Sequence, residues 1–280
     1  MLYNLDNTVN CFYINLDDNH ERRNHIENNL YNYGFTNVSR IPAVDTRTIE
    51  NLNRYRSMID PTAYDQLLVN IQTGKRNSHR ELTKGAVGCY LSHLNIYRHI
   101  VESQIPYALI FEDDCKFVDD PSNFWKKING IKIPDDTDMF LFDSSIHELN
   151  RSKCPTNSPT NNVCQVYFFF GTYFYFITLE GARKALNHLL PIEYQIDSKL
   201  AMMSYANRIK LYGYVGTKFA KQDNKFGTTI QFLKCPKCNI AREIVDMKSM
   251  VDWNHMIIGV SVCALLAIVI IILILFTLYC

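Results

Sequence analysis

The feature that most constrains this fold is a short apolar run that ends in three consecutive acids. Residues 108–111 (ALIF) are apolar, and Glu112, Asp113 and Asp114 follow at once. An unbroken apolar run of this length is typical of a strand that is covered on both faces of an α/β sheet. Acids directly after such a strand lie at its carboxyl edge, where open α/β sheets bind ligands. The sequence therefore predicts an α/β fold with an acidic site at one sheet edge.

The N-terminal third follows the same alternation of strands and helices. Residues 10–16 predict a buried strand, a helix begins at Asp17 or Asp18 and runs to about residue 31, and residues 38–44 predict a second strand. Strand, helix and strand at this spacing indicate a parallel α/β unit. Further helices are predicted around residues 60–70 and over 84–103.

After the acids the pattern continues less regularly. A short segment at 115–118 precedes a helix from Pro121 and a strand over 138–144. Residues 147–163 read as a polar surface loop. Residues 164–178 are aromatic and predict a strand that breaks at Gly171. Thr178 is placed to cap the next helix, another helix covers 195–208, and residues 221–252 read as a tail.

The C-terminal segment has a different character. Residues 256–280 contain no charged residue, and as a helix they would be about 37 Å long, enough to cross a bilayer. A buried core helix is the alternative. Four basic residues precede the segment and none follows it, which predicts a cytosolic domain with a C-terminal anchor. A lumenal domain is the alternative, and only there would the glycosylation patterns at Asn37 and Asn150 matter. The predicted organisation is one domain over 1–232, a linker over 233–255 and a transmembrane helix over 256–279.

Charge and cysteines limit the partners. The net charge of +1 gives no support for nucleic-acid binding. The CPKC sequence at Cys235–Cys238 is half of a zinc site, a redox pair, or two ordinary thiols. Cys154 and Cys164 are the plausible additional ligands that the sequence offers. In a reducing compartment these thiols stay unpaired.

The acids themselves suit a metal. Successive residues of a strand point to opposite faces, so Glu112 and Asp114 are expected on one side and Asp113 on the other. Two carboxylates on one side form a partial shell for Mg²⁺ or Mn²⁺. Such an ion would bridge a diphosphate and neutralise charge on a departing nucleotide. A solvated acidic turn is the alternative for the three acids taken alone.

A longer stretch around the acids carries a family resemblance. Residues 84–117, KGAVGCYLSHLNIYRHIVESQIPYALIFEDDCKF, resemble the central segment of the family-25 glycosyltransferases, which include lipopolysaccharide and collagen galactosyltransferases. The matching positions are Gly85, Gly88, Cys89, Ser92, His93 and the acids at 112–114. Residues 12–26, 41–45, 171–186, 191–197 and 221–230 resemble further family elements. Thr46 stands where the family usually has glycine, and the C-terminal segment lies outside the resemblance.

The resemblance implies a fold, a reaction and a cofactor. The fold is a GT-A-like, Rossmann-type domain that binds a nucleotide-sugar, usually a UDP-sugar. The reaction is transfer of a hexose, galactose or glucose, to a glycan or protein acceptor with inversion at the anomeric carbon. Inversion needs a base that deprotonates the acceptor hydroxyl. Mn²⁺ or Mg²⁺ would assist the departure of the diphosphate.

Roles follow for individual residues under this resemblance. Glu112 and Asp114 are the predicted metal ligands. Asp197 is preferred over Asp143 as the base, and Asp113 is a further catalytic candidate that could bind the ribose or donor sugar. The predicted donor-binding residues are Asn15, Leu16, Arg22, Arg23, Asp45, Ser92, His93 and Gln222.

Several of these residues have plain structural alternatives. An exposed basic helix face would explain Arg22 and Arg23, and a turn cap would explain Asp45. Simple packing would explain Ser92 and a buried, hydrogen-bonded His93.

Two other functions stay open for the chain. One is a non-catalytic nucleotide-sugar-binding or membrane scaffold protein, and the other is a metal-dependent nucleotidyltransferase that releases pyrophosphate.

Overall fold

The computed structural model describes most of the chain up to residue 238. The described residues are 3, 5–146, 162–215, 218–228 and 233–238, with the single positions 246 and 249, and the side chains of 143–146 fall outside the description. Residues 1–238 form one compact unit, and residues 239–280 form a second. The predicted transmembrane helix over 256–279 lies outside the described residues. Within the described part, no helix has both the length and the apolar character needed to cross a bilayer.

Nine strands and seven helices make up the described part of the fold. The strands are β1 Asn10–Asn15, β2 Val38–Pro42, β3 Tyr107–Glu112, β4 Cys115–Phe117, β5 Met139–Ile146, β6 Val163–Gln165, β7 Phe169–Thr178, β8 Leu211–Tyr214 and β9 Ala220–Gln222. The helices are α1 His20–Asn32, α2 Ile49–Asn53, α3 Pro61–Thr73, α4 Lys84–Glu102, α5 Pro121–Gly130, α6 Leu179–His188 and α7 Ile196–Tyr205. Single 3₁₀ turns lie at Arg56–Met58 and Asn224–Phe226.

The main sheet has seven strands in the order β2-β1-β3-β7-β5-β8-β6. Strands β2, β1 and β3 are parallel, as the strand–helix–strand pattern predicts. Strand β7 then runs antiparallel between β3 and β5, so the sheet is mixed. A separate two-stranded ribbon joins β4 to β9. This mixed α/β sheet with a Rossmann-like parallel half fits the predicted GT-A-like class.

Helix α4 is buried along most of its length, as its two apolar faces predict. Ser92 fixes the N-terminal half of α4 to the loop after β2: its hydroxyl accepts from Val44 N at 2.8 Å and donates to Gly88 O at 2.6 Å. Thr46, in the position of the family glycine, is buried and donates to the Lys84 carbonyl at 2.6 Å. The helix and loop are therefore in close backbone contact.

An aromatic core supports the acidic end of β3. The rings of Phe111 and Phe174 stack with centroids 4.8 Å apart, and Phe142 stacks on the other side of Phe174 at 4.8 Å. All three side chains are buried. Burying each contributes about 1.5–3 kcal/mol to folding. The strand that carries the acids is thus held by a rigid apolar layer.

Two predicted features are wrong and one is confirmed closely. Strand β7 does not break at Gly171; it passes through this residue at φ 86°, and the interruption lies before Phe169. Residues 220–227 are not a simple tail, because β9 pairs with β4 and the following turn reaches the acids. Thr178 caps α6 as predicted, with its hydroxyl accepting from Gly181 N at 3.0 Å.

Candidate functional site

The three acids lie at the carboxyl end of β3, but they do not alternate as predicted. Strand β3 ends at Glu112, and Asp113 and Asp114 form a turn before β4. Arg22 binds both aspartates, while Glu112 contacts His93 and Thr172. The expectation that Asp113 faces away from the other two acids is wrong, because the two-residue period ends where the strand ends.

Arg22 is the cation of this cluster. Its Nη1 donates to Asp113 Oδ1 at 2.7 Å, and its Nη2 donates to Asp114 Oδ2 at 3.2 Å. Nη2 also donates to the carbonyl of Gly227 at 3.0 Å, and the guanidinium lies 5.5 Å from the centroid of the Phe226 ring. Arg22 is 5% exposed, which rules out the solvated basic face considered from the sequence.

Asn15 holds the other side of Asp113. Its amide donates to Asp113 Oδ2 at 2.8 Å, and its own Oδ1 accepts from Arg40 Nε at 3.1 Å. The end of β1 and the start of α1 thus fix both oxygens of Asp113. Strand β1 and the helix that follows it, α1, therefore both bind the carboxylate of Asp113.

Asp114 has a different environment from Asp113. Its Oδ1 is buried and has no hydrogen-bond partner. Burial, with a further contribution from the charge of Glu112, raises the pKa of Asp114 to about 7, although Arg22 opposes the rise. Burial also raises the pKa of Asp113, again against the effect of Arg22. An orphaned carboxylate oxygen in such a position is a ready ligand for a divalent cation.

Glu112 belongs to a buried polar chain behind the aspartates. Its Oε1 accepts from Thr172 Oγ1 at 2.8 Å and lies 3.5 Å from His93 Nε2. His93 Nδ1 is 2.8 Å from the Tyr175 hydroxyl, which is 2.9 Å from that of Tyr97. Burial acts to raise the pKa of Glu112, but the hydrogen bond and charge of His93 outweigh it, so this pKa lies below its usual value. Glu112 therefore stays ionised beside His93.

Cys89 lies one helical turn before His93. The Cys89 sulfur, a His93 ring nitrogen and a Glu112 oxygen all lie within 4.8 Å of one another. Burial, followed by the charge of Glu112, raises the pKa of the Cys89 thiol well above its usual value. Cys89 is therefore a neutral thiol at this edge of the site.

Asp197 enters the same region from α7. Its Oδ2 accepts from Gly171 N at 3.1 Å, and its Oδ1 accepts from Ser198 N at 2.7 Å. Gly171 directly precedes Thr172, the residue that binds Glu112. Burial raises the pKa of Asp197, with these backbone hydrogen bonds acting against it and the charge of Glu112 acting with it. The preferred base is thus linked to the acids through two consecutive residues of β7.

The remaining predicted residues lie apart from these contacts. Arg23 pairs with Glu27 on the exposed side of α1, and Asp45 accepts from the Arg47 backbone and side chain. Ser92 serves the α4–loop contact described above. Leu16 is partly exposed just after β1, and Gln222 is exposed at the end of β9. Asp143 lies opposite Phe174 in β5, and its side chain falls outside the description.

Sequence reasoning assigned no role to the residues that β7 and Gly227 add to the site. Thr172 and Tyr175 belong to the segment 171–186 that resembles a family element, but the resemblance gave neither residue a role. Asp223 N donates to the Asp114 carbonyl at 2.8 Å, and Gly227 binds Arg22. The resemblance over 221–230 was the available signal for this turn.

Fold and site together define a Rossmann-like α/β protein with a polar, acidic cluster at the carboxyl edge of its parallel strands. Residues 8–200 match the family described as Glycosyltransferase family 25 (LPS biosynthesis protein). This match covers more than half of the chain, which therefore belongs to glycosyltransferase family 25.

Curated relatives share this part of the chain. Procollagen galactosyltransferase 2 from Homo sapiens is 26% identical over 195 residues, covering 65% of this chain and 29% of the relative. A glycosyltransferase 25 family member from Drosophila pseudoobscura pseudoobscura is 28% identical over 192 residues, covering 65% of this chain and 28% of the relative. Inactive glycosyltransferase 25 family member 3 from Homo sapiens is 28% identical over 146 residues, covering 49% of this chain and 24% of the relative. The chain thus matches less than a third of the length of these relatives.

Proposed function

We propose that the chain is an active glycosyltransferase that transfers a hexose, galactose or glucose, from a UDP-sugar to a glycan or protein acceptor with inversion. The observation that carries this proposal is the buried, unpartnered Oδ1 of Asp114 within the Glu112, Asp113 and Asp114 cluster. Membership in a glycosyltransferase family supports the reaction class. The relatives named as galactosyltransferases support galactose as the first sugar to test.

The acids fit a divalent cation. Asp114 offers its free Oδ1, and Glu112 is ionised and partly exposed, with Oε1 bonded to Thr172. All are hard oxygen donors, the kind that Mg²⁺ and Mn²⁺ prefer. When bound, the ion supplies positive charge next to the diphosphate of the donor. Asp113 is less available, because Arg22 and Asn15 occupy its two oxygens.

In this proposal the cluster organises the donor side of the site. Arg22 keeps Asp113 and Asp114 in place and offsets part of their negative charge. His93 and Thr172 orient Glu112. The turn at 223–227 contacts both Arg22 and the Asp114 backbone, so it is placed to cover a donor bound at the acids.

Asp197 is the proposed base. Its raised pKa makes it a stronger proton acceptor than an ordinary aspartate, and both of its oxygens are held by backbone N–H groups. In an inverting reaction this carboxylate would take the proton of the acceptor hydroxyl as that oxygen attacks the anomeric carbon. Asp143, in the neighbouring strand β5, is the competing candidate.

We further propose that the domain acts at a membrane surface, on the basis of the uncharged segment over residues 256–279. Extraction of the full chain at alkaline pH tests the attachment, since an inserted helix resists extraction. Protease protection then distinguishes a cytosolic from a lumenal domain. An inserted helix with a protease-accessible domain is the expected outcome.

The test of function uses the full chain in a mild detergent. Release of UDP from UDP-galactose, UDP-glucose and UDP-N-acetylglucosamine is followed with Mn²⁺, with Mg²⁺ and with EDTA. We expect release from one donor that needs metal and that Asp114→Asn abolishes. Asp65→Asn, a change at an exposed carboxylate of α3, is the matched control and should keep full activity.

A non-catalytic role is the second candidate, because one relative is named as inactive. Isothermal titration with UDP separates the two. Metal-dependent UDP binding with no turnover, with collagen peptides and simple glycans supplied as acceptors, would favour the binding role. Release of pyrophosphate from a nucleoside triphosphate would instead indicate a nucleotidyltransferase.

A further inference from the structure

The segment at 233–238 is fixed to a loop outside the candidate site. Lys234 and Lys75 form a parallel bridge. The Lys234 carbonyl accepts from Arg76 N at 2.8 Å, and Lys234 N donates to the Gly74 carbonyl at 3.2 Å. These bonds place Cys235, the next residue, beside the loop that follows α3.

His79 belongs to this same loop and completes a group with the two cysteines. A ring nitrogen of His79 and the sulfur atoms of Cys235 and Cys238 all lie within 4.8 Å of one another. The His79 carbonyl accepts from Gln195 Nε2 at 2.8 Å and from Arg76 Nη1 at 3.2 Å, and its ring packs edge-on against Phe170. The imidazole is therefore held in position by backbone and ring contacts.

The CPKC sequence forms a tight turn. Cys238 N donates to the Cys235 carbonyl at 3.3 Å, which turns both side chains toward the same side. Their sulfur atoms are joined as a disulfide in this structure. All three side chains of the group are partly exposed, so an ion from solvent has access to them. Two thiolates in a C-x₂-C turn and one imidazole form a ligand set that is typical of Zn²⁺.

We propose that His79, Cys235 and Cys238 bind Zn²⁺ when the cysteine pair is reduced. A phosphine or dithiol supplies two electrons that break the sulfur–sulfur bond and is itself oxidised. The two thiols then lose their protons as the ion binds. A water molecule would complete the coordination that the three side chains leave open. The disulfide seen here is the metal-free form of the site.

This zinc would fasten the segment after the sheet to the loop beside α7. Gln195 N donates to the Arg80 carbonyl at 3.0 Å, and Gln195 Nε2 binds the carbonyls of His79 and Glu81. Gln195 directly precedes α7 and lies two residues before Asp197. The ion would therefore stabilise the loop that supports the start of this helix. This inference does not depend on the proposed transferase activity.

The test uses the full chain in a mild detergent, reduced with a phosphine and freed of metal. Co²⁺ is titrated while absorption from thiolate-to-cobalt charge transfer is recorded, and Zn²⁺ then displaces the cobalt. We expect one thiolate-bound ion per chain, and X-ray absorption of the zinc form should show two sulfur neighbours at about 2.3 Å. Cys235→Ser and Cys238→Ser should each remove the charge-transfer band or weaken it severely. His79→Ala should lower the zinc affinity at least about tenfold.

Two matched variants separate this site from other thiols and imidazoles. His188→Ala removes a partly exposed histidine at the end of α6, and Cys89→Ser removes the thiol of the candidate donor site. Both should bind cobalt as the wild type does. A charge-transfer band of wild-type intensity in both cysteine variants, or loss of the band in Cys89→Ser, would overturn the proposal. An unchanged zinc affinity in His79→Ala would also overturn it.

The wild type alone gives an independent readout. We expect Zn²⁺ to raise the Tm of the reduced chain and to leave the Tm of the oxidised chain unchanged, because a disulfide offers no thiolate. Treatment of the zinc form with diamide, which accepts two electrons per disulfide formed, should release the ion. Equal effects of zinc on the two forms would contradict the proposed ligands.

Discussion

At the scale of residues, two adjacent arginines show how burial decides what a charge does. Arg22 is enclosed with two aspartates, whereas Arg23 pairs with Glu27 at the surface. The sequence presents them as equivalent. Their side chains leave α1 about 100° apart, because the helix has 3.6 residues per turn. One therefore enters the acidic cluster and the other meets solvent.

The first prediction compares these two arginines. Arg22→Gln should lower the free energy of unfolding by about 3–5 kcal/mol, because it leaves two buried carboxylates without their cation. Arg23→Gln should leave the free energy of unfolding close to the wild-type value, because an exposed ion pair contributes little to stability. Urea unfolding followed by circular dichroism measures both. Equal effects of the two variants would contradict the buried ion-pair network.

The second prediction concerns pH and Asp114. Its pKa is about 7 in the folded protein and 3.8 in an ordinary setting, so between these values the folded state binds more protons than the unfolded state. This carboxyl therefore makes the free energy of unfolding fall as the pH rises through that range. Asp114→Asn should lessen the fall between about pH 5 and pH 8 by at least about 1 kcal/mol.

The measurement for Asp114 is urea unfolding in EDTA at several pH values. Asp65→Asn, at the exposed position on α3, should leave the wild-type pH dependence unchanged. A slope in Asp114→Asn that matches the wild type would show that this group ionises normally in the folded state.

The third prediction tests the proposed base. Asp197→Asn should lower kcat by about 10²–10⁴-fold, the range expected for loss of a general base. UDP affinity should stay near the wild-type value, because Asp197 contacts β7 and its own helix rather than the acids. Asp143→Asn is the comparison. If that variant loses turnover and Asp197→Asn retains it, the assignment of the base is reversed.

At the scale of elements, α4 and the loop after β2 act together. Ser92, Thr46 and Gly88 join the helix to the loop, and His93 follows one residue later on the same helix. The close contact at Gly88 sets the distance between helix α4 and the loop after β2. The contacts that link His93, Glu112 and Thr172 therefore depend on how closely α4 approaches the sheet.

The fourth prediction changes that distance. A Cβ at position 88 would lie 2.4 Å from the Val44 carbonyl oxygen and 2.6 Å from Thr46 Oγ1, so Gly88→Ala must displace the helix or the loop. We expect a loss of about 1–3 kcal/mol in stability and weaker UDP binding. Gly130→Ala, where a Cβ meets nothing within 4 Å, should stay within about 0.5 kcal/mol of wild type. A thermal melt that does not distinguish the two alanine variants would contradict the close contact.

At the scale of the whole molecule, the family match and the folded unit have different limits. The match ends at residue 200, but the compact unit extends to residue 238. Strand β8 lies between β5 and β6 in the main sheet, and β9 pairs with β4 next to the acids. Residues beyond the matched region therefore complete both the sheet and the candidate site.

The fifth prediction follows from these limits. A chain of residues 1–238 should unfold in one cooperative transition, and residues 1–228 should do the same, because both retain all nine strands that the structure describes. Residues 1–200 should show no cooperative transition, since the sheet lacks β8 and the acidic turn lacks its β9 partner. Differential scanning calorimetry makes the comparison. Cooperative unfolding of 1–200 would mean that the matched region folds alone.

Patterns that repeat along the chain allowed much of this fold to be predicted from sequence. The end of β3 at the acids, the bounds of α4 and the start of α6 after Thr178 are predicted closely, because apolar period, caps and breakers are local signals. The acids, His93 and Asp197 were found as site candidates from strand ends and a family motif. The break placed at Gly171 was wrong, because β7 continues through this glycine at positive φ, and β5 pairs with Phe170 before it and with Phe174 after it.

The sequence by itself determined the α/β class, the family and the acidic edge, since each depends on residues that are close together in the chain. Tertiary structure alone decided that Arg22 pairs with both Asp113 and Asp114, that Glu112 turns to His93, and that His79 lies beside the CPKC pair. Those contacts join residues far apart in sequence. Their geometry depends on the order of the strands, on where each strand ends and on which side chains become buried. A periodic pattern of neighbouring residues carries no information about these three features.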